Sequence, residues 1–253
     1  MSNIDSSELP LVTIITVVKN GFPQIENTIN SVFSQDYPSI EYIIKDGQSV
    51  DGTLEVIKKY KHKPIILISE KDFGISDAWN QAISRASGEY IALLNSDDVL
   101  PPNYIKTAIK KILETNVDLV YGDTCLFDDQ GRRRIVKGSW SQSMLWKGIG
   151  FLHPSVLASK KAYLKIMNFR TDLKFAMDAD WIMRLYSSGG KFAKHEGIAF
   201  MSNGGLSNKN WKAARIEYLK VLKNSNIPKL TYFFGIFWFR LLTVKKILKN
   251  TSL

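Results

Sequence analysis

Cysteine is nearly missing from this chain: Cys125 is the only one among 253 residues, which excludes an intramolecular disulfide and a cysteine-rich zinc site. A reducing compartment is the expectation. Acid is scarce at one end: residues 206–253 hold one Asp or Glu against ten Lys or Arg, while residues 1–205 hold 23 against 24. The body is near neutral at +1 and the tail carries +9 of the formal +10, so the tail points to an anionic surface, lipid or nucleic acid. The N-terminal MSNIDSSELP lacks the basic and apolar regions of a secretory signal, and the chain is expected in the cytoplasm. Internal repeats and low-complexity tracts are lacking as well. What is present, 45% hydrophobic and 23% charged residues, suffices for one or two ordinary globular domains with a sizeable core.

Strand and helix periods alternate through the first half. Val12 to Val18 is a β-branched run suited to burial on both faces, and Ile25, Ile29, Val32 and Phe33 then recur at helical spacing. Strands are predicted over 40–45, 65–69, 89–94 and 118–123, with helices ending near Tyr60 and spanning about 75–86 and 103–115. Such βαβ repetition implies right-handed crossovers and a mainly parallel sheet flanked by helices. Beyond Thr124 the rhythm breaks into a hairpin turn at Asp128 to Gly131, a helix over 178–188 and a loop over 202–210.

In open parallel sheets ligands gather beyond the carboxyl ends of the strands. Asp46 ends the second predicted strand, Asp72 follows the third, Asp97 and Asp98 the fourth, and Asp123 ends the fifth. Several carboxylates on one rim repel one another unless a cation or donors neutralise them. Asp97-Asp98 suits Mg²⁺ or Mn²⁺ with a substrate diphosphate completing the shell, or equally an Asp-rich turn before Pro101. Asp46 within DGQSVDGT reads as the edge of a base site or as turn and capping chemistry. Asp178 reads as a general base or as the N-cap of its helix.

The ordered series TVVKN (16–20), IIKDGQSVDGT (43–53), EKDFGISDAWNQAISRASGEYIALLNSDD (70–98) and FAMDADWIMRL (175–185) resembles glycosyltransferase family 2, with the GT-A fold, over about residues 10–205. The nearest likeness is to bacterial enzymes of exopolysaccharide, capsule or O-antigen assembly. The resemblance implies a Rossmann-like nucleotide-sugar half (about 10–124) and an acceptor half (about 125–205), and the basic, aromatic-rich stretch 206–253 is expected as a helical tail. It implies donor binding by the backbone of Thr16 to Lys19, Val18 included, by Asn20, and by Asp46 at the base. It also implies Asp72 at the nucleoside, Asp97 near ribose and Asp98 on a divalent Mn²⁺ or Mg²⁺. Asp178 is implied as the base that deprotonates an acceptor hydroxyl and so gives inversion; Met177 stands where the family has Glu, which leaves Asp180 as a substitute. A UDP-sugar donor, a glycan or lipid-linked acceptor and addition of one sugar follow, since no Q-x-x-R-W motif is present. A nucleotidyltransferase, and an inactive binding protein at the membrane, are the competing readings.

Other residues read less specifically. His153 is a structural loop histidine or a ligand near the diphosphate; His62 and His195 sit in Lys-rich, surface-like settings; Trp79, Trp140, Trp146 and Trp181 read as core. Gly204 to Ser207 resembles the family's late loop over the donor. The tail stretch KLTYFFGIFWFRLL (229–242) is too short to span a bilayer but suits an in-plane amphipathic helix. Its aromatic density favours lipid over nucleic acid, or else the capping of the protein's own core. The expected location is the inner face of the cell membrane, peripherally bound.

Overall fold

The computed structural model describes residues 9–250, without the side chains of Leu206 and of 245–250. Most of MSNIDSSELP, and the side chains of Lys245, Lys246 and Lys249, lie outside the described residues.

The first strand, β1 (Val12–Val18), is buried along its whole length because the sheet is covered on both sides. Val12, Ile14 and Val18 enter one core and Ile15 and Val17 the other, the alternation that a period of two imposes. α1 (Ile25–Phe33) and α2 (Thr53–Lys59) pack on the first side, along with α4 (Tyr104–Thr115). α3 (Ile75–Ile83), α5 (Lys160–Ile166), α6 (Met177–Ser187) and α8 (Trp211–Asn224) pack on the second, around Trp79, Tyr163, Trp181 and Leu222. The sheet also contains β2 (Ile40–Asp46), β3 (Ile65–Ser69), β4 (Tyr90–Asn95), β5 (Leu119–Phe127), β6 (Arg133–Val136), β7 (Val156–Ser159) and β8 (Phe192–Ser202). Its order is β3-β2-β1-β4-β7-β5-β6, with β8 on β5.

The left half, β3-β2-β1-β4, is parallel. There the register sets Val18 opposite Asp46, Asp46 opposite Ser69 and Val17 opposite Asn95, so four carboxyl ends form one rim. The right half departs from the expected pattern. β7 joins antiparallel between β4 and β5, and β5 runs on to Phe127 instead of ending at Asp123, its second half zipped antiparallel to β6. β5 and β8 pair in parallel with a register shift between Tyr121 and Asp123. That irregularity turns His195 inward: it is 2% exposed, its Nε2 lies 3.2 Å from the Tyr104 hydroxyl and its Nδ1 accepts the Gly197 N–H. The surface setting read from its lysine neighbours is therefore corrected. Asp123 likewise leaves the rim acids, bound to Lys194 at 2.6 Å and Lys137 at 2.9 Å.

The stretch 202–210 contains a short helix, α7 (Leu206–Lys209), where a loop was expected. α8 sinks Tyr218, Leu219, Val221 and Leu222 into the core that holds α6, so a boundary at 205/206 cuts through shared packing. α9 (Lys229–Asn250) closes against α8 at Gly235, where a Cβ would come within 2.9 Å of Leu219. No helix among the described residues is long and apolar enough to cross a membrane.

Candidate active site

The rim is built from two loops that fasten each other. After β1 the chain turns at Asn20, whose backbone is left-handed (φ 56°), a conformation asparagine tolerates. Asn20 donates its N–H to Ser49 Oγ (2.8 Å) and accepts from Val50 N with its side chain (2.9 Å). Gly21 N donates to Thr53 Oγ1 and Phe22 N to Asp51. The DGQSVDGT segment is thus the partner of the β1 turn, and its turn chemistry is real. Asp46 sits beneath it, fully buried, accepting from Ser49 N and from Ser69 Oγ at 2.8 Å.

Lys45, a lysine inside an apolar strand, is fully buried and reaches the Asp72 carboxylate at 3.3 Å. Its ammonium also donates to the carbonyls of Asp46 and Glu70. Gly47 lies so close that a Cβ there would stand 2.4 Å from Asp72 Oδ2. Asp46 and Asp72 are therefore brought together. Thr16 is not: it is fully buried in mid-strand and accepts the Tyr42 hydroxyl at 3.1 Å. Val18 offers the rim only its backbone, and its carbonyl already accepts from Gly47 N.

At the end of β4 the two adjacent acids divide. Asp98 is 1% exposed, and its oxygens accept from Ser202 N and Asn95 Nδ2, both at 3.1 Å. Burial first, and the Asp97 charge second, push it up to about 8. Asp97 is only half-buried; desolvation raises it too, against a hydrogen bond from the Ser202 side chain. The carboxylate left open at the rim is Asp97, while Asp98, expected as the metal ligand, is tied into the fold. Beside them the buried Asn95 Oδ1 has no hydrogen-bond partner among the described residues.

These oxygens fit a hard divalent cation: an orphaned amide oxygen and an undercompensated carboxylate lie one residue apart in Asn95-Ser96-Asp97, short of positive charge. Among the described residues no group of three or more His, Cys, Asp or Glu is placed to hold a metal. The chain would supply part of a shell that substrate phosphates complete, the common arrangement for Mg²⁺.

Asp178 lies in the first turn of α6, where the capping residue is Ala176. It is not the N-cap. Its Oδ1 accepts the Ala179 N–H at 2.7 Å, and its surroundings are apolar, a small cavity lined by Leu93, His153, Tyr163, Phe169 and Trp181. Burial pushes the carboxyl up to about 6, helped by the charge of Glu217. Asp180 is engaged elsewhere, 2.8 Å from Arg184 and 3.8 Å from Arg170. His153 stacks on Trp79 at 4.6 Å, its Nε2 lacks a partner and burial lowers it to about 4. Trp79 and Trp181 are core residues, each 2% exposed. Trp140 and Trp146 are half-buried, the latter edge-on to Trp238 of α9.

Lys45, Asn95, Ser202 and Glu217 are site residues that the sequence reading missed. Only Lys45, a charge in an apolar strand before Asp-Gly, left a visible signal.

A doubly covered sheet with acids and loops gathered at its carboxyl rim is the architecture of the GT-A fold. Among solved structures, the mannosyltransferase PcManGT from Pyrobaculum calidifontis, in complex with GDP-Man and Mn²⁺, superposes with a TM-score of 0.69 at 18% identity, over 91% of this chain and 69% of that one. S. aureus TarS 1-349 in complex with UDP-GlcNAc gives 0.61 at 18%, over 88% and 69%. At such identities the likeness speaks for the fold. The family model for glycosyl transferase family 2 matches residues 13–185, and the chain belongs to that family. The teichuronic acid biosynthesis glycosyltransferase TuaG of Bacillus subtilis (strain 168) is 26% identical over 217 residues, 81% of this chain and 85% of its own length. The UDP-Glc:alpha-D-GlcNAc-diphosphoundecaprenol beta-1,3-glucosyltransferase WfgD of Escherichia coli is 33% identical over 114 residues, 45% of this chain and 45% of its own length.

Proposed function

We propose that this glycosyltransferase moves one sugar from a nucleotide-sugar, a UDP-sugar by preference, to a hydroxyl of a glycan or lipid-linked acceptor in cell-surface polysaccharide synthesis, with inversion. The observation that carries the reading is the meeting of Asp46, Asp72 and Asn95-Ser96-Asp97 on one rim. The names of TuaG and WfgD support the pathway class and, for WfgD, the donor and lipid acceptor.

In this reading Asp46 and Asp72 flank the nucleoside and Asn20 shapes the turn beside it. Asp97 with Asn95 Oδ1 would hold Mn²⁺ or Mg²⁺, which would supply positive charge to the leaving diphosphate. Asp98 and Ser202 brace that loop. Asp178 takes the acceptor hydroxyl proton while the oxygen bonds to the anomeric carbon, and the bond to the diphosphate breaks, releasing the nucleoside diphosphate. An apolar site that raises a carboxyl to about 6 suits a base working near neutral pH.

Peripheral membrane binding belongs to the same proposal. The inner row of α9, Tyr232, Ile236 and Phe239, packs on the core. Leu230, Phe233, Phe234 and Phe237 form an outer stripe, each at least 50% exposed, in a segment carrying +9. Exposed aromatics beside basic residues suit an anionic lipid interface.

Full-length protein should release nucleotide from one member of a nucleotide-sugar panel in Mn²⁺ and fall silent in EDTA. Release that is equal across all sugars, or indifferent to EDTA, would count against donor recognition or against the metal.

A further inference from the structure

The backbone immediately ahead of α6 is held by a residue about forty positions away. Glu217, the only acid in residues 206–253, sits on α8 and turns its carboxylate onto three successive backbone N–H groups just ahead of α6. Phe175 N donates to Oε2 at 2.6 Å and Ala176 N at 2.7 Å, and Lys174 N donates to Oε1 and Oε2 at 3.0 and 3.1 Å. Consecutive N–H groups of this kind form an anion-binding concavity, and a carboxylate before a helix N-terminus also complements its dipole. Asp178 follows two residues after Ala176 and accepts the Ala179 N–H from within the first turn.

We propose that Glu217 is the positioning residue of the acceptor side: by closing the 174–176 backbone it fixes the first turn of α6 and holds Asp178 where an acceptor hydroxyl must arrive. This rests on Asp178 being the base. It also makes α8 part of the active site, so that the segment leading to the outer stripe of α9 reaches the backbone ahead of the catalytic helix through the Glu217 side chain.

The charge of Glu217 has a second effect. Asp178 faces His153, which burial keeps neutral, Tyr163 on α5 and Tyr218 on α8, whose hydroxyls burial raises, and Glu217 on α8. Asp180 on its own helix is paired with Arg184 and Arg170. Of these, Glu217 is the anion whose charge acts on Asp178 and opposes its ionisation, and it in turn feels the Arg170 charge. Its removal must lower the pH at which Asp178 becomes a base.

The test uses full-length Glu217→Gln and Glu217→Asp, with Asp178→Asn alongside. Glu217→Gln keeps size but removes the charge and replaces one of the two accepting oxygens with an NH2 that cannot accept; transfer kcat should fall about tenfold or more with donor KM unchanged. The acid limb of its kcat/KM profile, expected near pH 6 in the parent because burial raises Asp178 to about 6, should move to lower pH. Glu217→Asp keeps the charge at shorter reach and should lose rate without moving the limb. Parent kcat in Glu217→Gln, an unmoved limb, or donor binding lost together with rate would overturn the proposal. An active Asp178→Asn sinks the base assignment instead, and an inactive Asp178→Asn beside an unimpaired Glu217→Gln sinks the Glu217 proposal alone.

Discussion

Gly47→Ala is a one-carbon test of how the rim is packed. The new Cβ would stand 2.4 Å from Asp72 Oδ2, where ordinary contact begins near 3.4 Å, so the carboxylate must retreat by about 1 Å. It has little room. Oδ1 of Asp72 accepts the Gly74 N–H at 3.1 Å, and Oδ2 is the atom facing the fully buried Lys45 ammonium at 3.3 Å. Breaking a buried pair outright costs roughly 3–5 kcal/mol. Here Lys45 keeps the Asp46 and Glu70 carbonyls, which reduces the loss to about 2 kcal/mol. For a chain of this length that is a drop in Tm of about 4–8 °C, and the displaced Asp72 should weaken nucleotide binding by about tenfold. Calorimetric melting and titration with UDP read the two effects. A double-mutant cycle isolates the cause, because Asp72→Ala removes the atom the methyl strikes and should make Gly47→Ala nearly neutral. Parent Tm and parent UDP affinity in Gly47→Ala, or full additivity with Asp72→Ala, would refute the reasoning.

Three further outcomes are expected. Asp97→Asn should lower turnover by about 10²-fold with the fold intact, and near-isosteric Asp98→Asn by less than about tenfold, because Asp98 is already committed to Ser202 and Asn95; the opposite order in steady-state rates would return the cation to Asp98. Burial alone would raise Asp123, but Lys194, Lys137 and the Gly138 N–H outweigh it and hold it at about 2. Its stabilisation is therefore present above an unfolded value near 3.9 and fades as pH falls towards 2, so Asp123→Asn should cost about 1–2 kcal/mol at pH 7 and progressively less in acid melts; a deficit independent of pH contradicts the ion pairs. Phe233→Ser with Phe237→Ser, both on the outer stripe of α9, should reduce sedimentation with anionic liposomes by at least about tenfold without lowering Tm, whereas a fall in Tm with unchanged liposome binding would mean that these rings serve the core.

Legibility in the sequence followed the range of the interactions. β1 to β4 and their helices are readable because each is a local period, and Asp46, Asp97 and Asp98 are readable at strand ends because parallel sheets put ligands there. β5 defeats the local reading: Asp123 has the look of a strand-end acid until Lys137 and Lys194 arrive from distant segments to neutralise it. His195 is buried by a register shift, which lysine neighbours cannot reveal. The division of labour between Asp97 and Asp98 depends on Ser202, about a hundred residues away, and the backbone ahead of Asp178 is held by Glu217, equally invisible as a pair. Thr16 is expected to serve the donor through its backbone, and its side chain is taken up by the Tyr42 hydroxyl.

The central claim is that the rim holds an activated sugar donor and that Asp178 of α6 acts on the acceptor. The most direct measurement is transfer by full-length protein from an α-linked UDP-sugar, in Mn²⁺, to a polyprenyl-diphosphate-linked sugar, with the anomeric configuration of the product read by NMR and Asp178→Asn run in parallel. A β-linked product from the parent, reduced by about 10²-fold or more in Asp178→Asn while UDP affinity holds, is the predicted result. An α-linked product, or a parent rate in Asp178→Asn, would contradict the account.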